Sequence, residues 1–223
     1  MSVPMKQLIV SGLALIALTF CVVPARASTI VVATDLGPGG TYIDAAYDIK
    51  GASSPFVDPF AAESQAVSFV PSISTDLSDV ILALGLAQGP ASIVVGIASD
   101  NSGLPGPVLA TLTQNGTVSN IGALVTFTCD ACVALEASTR YWVVTGVSDK
   151  NTFVFWNYSD NSLGDIASNA SGSVNGPWFN GGMVATPAFE VDGVPEPASL
   201  MSIATGVMGL ASRVYSERRA RNR

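Results

Sequence analysis

Between residues 28 and 194 the chain never sustains a helical pattern. It moves instead through short runs rich in β-branched and aromatic residues, each closed by Gly, Pro, Asn, Asp or Ser. Candidate strands fall at 29–34, 66–71, 80–86, 92–98, 107–113, 123–128, 140–147, 151–158 and 184–191. In 151–158 the side chains alternate: Phe153, Phe155 and Asn157 fall on one face, Val154, Trp156 and Tyr158 on the other. One of these faces enters a core and the other meets solvent or a flanking loop. Strands at this spacing predict an all-β fold, a two-sheet sandwich for which jelly-roll connections are one arrangement and a barrel is the alternative. Ser148-Asp149-Lys150 between two strands predicts a hairpin, and 76–86 is readable either as a strand or as a short helix. No internal repeat or second domain is apparent.

The composition narrows the chemistry. There is no histidine, so the commonest general base and the commonest neutral metal ligand are both missing. No Gly-x-Ser-x-Gly elbow occurs among the plentiful serines, and the expectation is that the domain is not an enzyme. Fifteen of the seventeen acids and three of the ten bases lie between residues 28 and 194, a net charge of −12 for the middle of the chain. Such a surface repels nucleic acid and anionic lipid. It also keeps a chain with few charges soluble.

Three local features carry candidate chemistry. Cys129 and Cys132, in Cys-Asp-Ala-Cys, are the cysteines left outside the N-terminal leader described below. In an exported chain they predict a disulfide closing a tight turn, with two free thiols as the alternative. Two thiolates without histidine leave the usual zinc set incomplete. The segments Asp100-Asn101-Ser102-Gly103 and Asp160-Asn161-Ser162-Leu163-Gly164-Asp165 are dense in oxygen donors and turn formers. They predict surface turns first and calcium second, with Asp100, Asn101, Asp160 and Asp165 as the ligands. No other cofactor is expected. Trp142 sits among valines and reads as core. Trp178, in Asn175-Gly176-Pro177-Trp178, and Trp156 are the candidates for stacking on a sugar ring, against ordinary packing.

The two ends read as addresses. Residues 1–27 combine Lys6, an apolar stretch over 8–23 and Ala25-Arg26-Ala27, the pattern of a signal peptide cut by signal peptidase after Ala27. A retained membrane helix is the alternative. A domain is expected over 28–192, followed by a linker and tail over 193–223. That tail carries Pro195-Glu196-Pro197, an apolar run at about 198–215 expected to form a short membrane helix, and Arg213, Arg218, Arg219, Arg221 and Arg223. The prolines keep the first part extended and open to a processing enzyme. The arginines stay on the cytoplasmic side. Ser199, Ser202, Thr205 and Ser212 dilute a run already short for a span of roughly 20 residues, which suits a transient anchor.

These three parts resemble the PEP-CTERM sorting signal of Gram-negative bacteria. The resemblance implies that exosortase, a membrane cysteine protease, recognises Pro195, Glu196 and Pro197 and removes the tail. The protein would then pass to the cell surface or the extracellular matrix. The middle of the chain resembles the exported β domains known as choice-of-anchor domains. The matching residues are Ile97 to Gly106, Phe127-Thr128-Cys129 and Leu135 to Val144. That second resemblance implies a secreted sandwich with no assigned reaction or ligand. Together they imply a non-catalytic envelope or matrix protein, associated with exopolysaccharide or another surface protein. The alternative is a dedicated carbohydrate-binding module, with or without the assistance of calcium.

Overall fold

A computed structural model describes residues 28–53 and 62–195. The leader over 1–27, the apolar run and the arginine cluster lie outside the described residues, as do Glu196 and Pro197. Among the described residues there is no helix. Twelve strands follow in order: β1 (Ile30–Thr34), β2 (Ile43–Lys50), β3 (Ser64–Phe69), β4 (Thr75–Gln88), β5 (Ile93–Asp100), β6 (Pro105–Asn115), β7 (Ala123–Thr128), β8 (Ala134–Leu135), β9 (Tyr141–Val147), β10 (Phe153–Asn169), β11 (Phe179–Pro187) and β12 (Phe189–Val194).

The strand pairings are antiparallel, and the strands make two layers joined at both margins. One layer runs β2, the first half of β10, β4 and β7, with β12 and then β1 beside the start of β4. The other runs β6, β5, β9, β3, the second half of β10 and β11. A short β6–β7 pairing closes one margin. At the other, β10 crosses from layer to layer: Phe153 to Trp156 pair with β4, and Ile166 to Asn169 pair with β3. The sandwich is therefore continuous, with features of the barrel alternative.

Period-two alternation explains the core. Val154 and Trp156 point inward from β10 and are fully buried, as are Leu82 and Leu84 of β4, Ile97 of β5 and Phe127 of β7. Strand β9 is buried on both faces. Tyr141 and Val143 enter the main core, while Trp142 and Val144 enter a smaller cluster with Ala66, Ala98, Ala167 and Val174, against which Trp178 packs. Such two-sided burial gives the near-continuous apolar run Tyr-Trp-Val-Val.

Several sequence expectations change. Residues 76–86 are strand throughout, within β4. The hairpin at 148–150 is absent: β9 pairs with β3 and β5, whereas β10 starts beside β2 and β4, so the turn carries the chain between layers. Strand β12 runs to Val194, two residues past the expected boundary. Strand β2 was not expected. Its alternation is nevertheless present in the sequence, with Tyr47 and Ile49 packed against or within the core and Asp44 and Asp48 on the opposite face.

Candidate functional site

The sorting region begins where the last strand ends. β12 lies between β1 and β4, with Val194 opposite Asp76 and Gly193 opposite Leu77 and Ile30. Its inward side chains, Phe189 and Val191, are buried. A β-carbon at Gly193 would come within 2.4 Å of the Thr75 side chain, so any other residue here would force Thr75 to move. Half-buried Pro195 is the first residue beyond the strand. Proline has no N–H to offer a ladder and so ends the pairing. The first residue of the sorting triplet thus follows directly on the end of a strand paired on both sides. That strand also carries acid: Asp192 lies directly opposite Asp79. Burial, then Glu190 and Asp79, push its carboxyl up to about 6.

The cysteines stand as free thiols, Cys129 half-buried against the core and Cys132 exposed, so the expected disulfide is not present in the structure. The Cys132 thiol donates to the Cys129 carbonyl oxygen at 3.1 Å. Burial, together with the neighbouring Cys132 thiol, pushes Cys129 up to about 12, which keeps it protonated and unreactive at neutral pH. Asp130 within the turn accepts from the Thr113 hydroxyl at 2.6 Å, tying the turn to β6.

The two oxygen-rich segments do not converge. The first is the β5–β6 hairpin turn, with Ser102 and Gly103 both at positive φ and backbone bonds between Asn101 and Leu104 in both directions. Asp100 is engaged at both oxygens. Oδ1 accepts the Trp142 indole N–H at 2.9 Å, and Oδ2 accepts the Gly103 N–H at 3.2 Å. The second segment is not a loop but the middle of β10. There Asp160 accepts from the Thr41 hydroxyl at 3.3 Å, and Asp165 pairs with Arg140 at 3.1 Å. Among the described residues no group of three or more acidic or sulfur ligands is placed to hold a metal ion.

The tryptophans divide differently from the sequence expectation. Trp142 is core, as expected. Trp156 is also fully buried, its indole N–H donating to the Ala188 carbonyl at 2.9 Å, so it offers no face to a sugar. The period-two alternation had allowed either face of 151–158 to be the inner one, and the structure selects the one bearing Trp156. Trp178 is half-buried: it packs on the smaller core cluster and borders a shallow hollow of about 300 Å³ with Asn101, Pro105 and Asn175.

No curated protein matches the chain in sequence. Residues 193–219 match the PEP-CTERM protein-sorting motif, a stretch that opens on the last two residues of β12. The chain therefore carries the signal of an exported, surface-directed protein of a Gram-negative bacterium, processed by exosortase.

Proposed function

We propose that this chain is a non-catalytic display protein, whose β domain is delivered to the cell envelope or extracellular matrix and there contributes to surface structure, adhesion or association with exopolysaccharide. The observation that carries this reading is the sorting motif over 193–219, joined to the domain with no intervening second unit. Pulling on the tail loads β12, which is paired on both edges, so the attachment point is part of the sheet rather than a loose end. The resemblance of the domain to choice-of-anchor domains supports the same reading, as does the absence of histidine. Surface exposure also suits the strongly acidic middle of the chain, which stays soluble and does not adhere to nucleic acid.

Fractionation of the producing cell tests the proposal. The protein should appear in the surface or matrix fraction when exosortase is present. It should be retained in the inner membrane when exosortase is deleted, or when Pro195 and Pro197 are both replaced by alanine. Equal release in all three strains would overturn it.

A further inference from the structure

We infer that the outer face of β2, β10 and β4 forms a binding groove for a neutral saccharide; this rests on the exopolysaccharide reading above and gives it a place. The groove encloses about 430 Å³, within the range of small-ligand sites. It is built where three strands align side by side, with Asp48, Phe155 and Gly85 in register across the sheet. Gly85, at the β4 end of this row, has no side chain to stand between Phe155 and the Gly122 backbone. The Phe155 ring is 37% exposed and stands edge-on to buried Phe153, with ring centroids 4.7 Å apart, so the ring is braced without being covered. Ile121, 84% exposed on the β6–β7 connection, forms an apolar wall.

The polar groups of the groove favour hydroxyl donors. Asn157 is only 5% exposed. Its Nδ2 donates to the Ile43 carbonyl at 3.1 Å, which fixes the amide, and no hydrogen bond from the described residues reaches its Oδ1. That oxygen lies 3.8 Å from where a β-carbon on Gly122 would sit, on the groove side. Asp44 adds an exposed carboxylate with no hydrogen bond or ion pair among the described residues, and Asn120 adds an amide at the rim. An exposed aromatic ring takes the C–H face of a pyranose, while a carboxylate and a fixed amide oxygen accept its hydroxyl protons. Among the described residues no cation lines the groove, and the domain is strongly acidic, so uronates and phosphorylated sugars are repelled.

The site differs from the one the tryptophans suggested, and calorimetric titration of the mature protein separates the two. The probes are cellohexaose, maltohexaose and mannohexaose, with oligogalacturonate as the anionic control. At least one neutral probe should bind, and oligogalacturonate should not. Phe155→Ala and Asp44→Ala should each weaken binding at least tenfold, whereas Trp178→Ala should leave it within twofold. Asp44 is an exposed strand residue, so its variant guards against a loss caused by unfolding. Saccharide binding that survives both groove substitutions overturns the site and leaves the wider exopolysaccharide reading standing. Failure of all three neutral probes to bind overturns both, while the sorting reading is tested separately by fractionation.

Discussion

Replacing Trp156 measures how far the core depends on the residue that sequence alone could place on either face. The side chain is fully buried between the layers, and its N–H reaches the Ala188 carbonyl, at the corner where β11 becomes β12. Trp156→Ala removes the largest part of that packing and should cost about 3–5 kcal/mol. The Ala188 oxygen keeps a second donor, the Ala83 N–H at 3.2 Å, so it is not left bare and adds little to the penalty. Trp156→Phe keeps a ring in the site and loses the indole hydrogen bond, for about 1–2 kcal/mol. At about 2–4 °C per kcal/mol for a domain of this size, the alanine variant should melt about 6–20 °C below the parent and the phenylalanine variant about 2–8 °C below. Phe155→Ala, one residue away but on the half-exposed outer face, should cost less than Trp156→Ala. Thermal melts followed by near-ultraviolet circular dichroism, backed by urea titration, give the ordering. A Trp156→Ala melt within about 2 °C of the parent would refute the packing argument and restore Trp156 as a surface residue.

Three further outcomes follow from the same geometry. Asp35 is half-buried, with Oδ1 accepting the Phe189 N–H at 2.8 Å, and burial, outweighing the hydrogen bonds from Thr186 and Phe189, pushes its carboxyl from 3.8 up to about 6. Because the folded state holds this proton more tightly than the unfolded state, its contribution is full below pH about 4 and is lost as pH rises through 6, by at most about 3 kcal/mol. Asp35→Asn should therefore raise the urea midpoint at pH 7.5 and change it little at pH 4; an equal effect at both would contradict this. Asp100→Ala removes the acceptor of the Trp142 indole and of the Gly103 N–H, and should lower the melting temperature by about 2–8 °C, for a loss of about 1–2 kcal/mol, equally in calcium and in chelator. A drop seen only in calcium would return Asp100 to the metal-ligand class. In reduced folded protein, iodoacetamide at neutral pH should modify exposed Cys132 well before Cys129, whose thiol is held near 12, and unfolding should abolish the difference.

What the sequence disclosed depended on whether its pattern was local. The all-β class, the strand over 123–128 and the core position of Trp142 follow from alternation and turn residues alone. The C-terminal sorting motif was equally legible, since proline spacing, apolarity and arginine clustering are linear properties. Pairing was not legible. Nothing near 148–150 reveals that β9 and β10 belong to different neighbours, because that choice is made by β3, β4 and β5 far along the chain. The segment 160–165 looked like a loop since its residues are turn formers, yet β2 and β3 hold β10 extended on either side of it and β11 pairs with Leu163 to Asp165 within it. The groove escaped for the same reason: Asp44, Gly85, Asn120 and Phe155 come from four separate stretches that only the sheet brings together.

The central claim is that this domain is cut free of its tail after export, and the mass of the mature protein tests it most directly. The protein should be purified from a Gram-negative host that contains exosortase, then measured intact and after peptide mapping. The account predicts a chain that begins at Ser28 and ends in or near Pro195-Glu196-Pro197, with Arg213 to Arg223 missing, and a full-length C-terminus in the same host without exosortase. A mature protein that keeps Arg223 in the presence of exosortase would contradict the account.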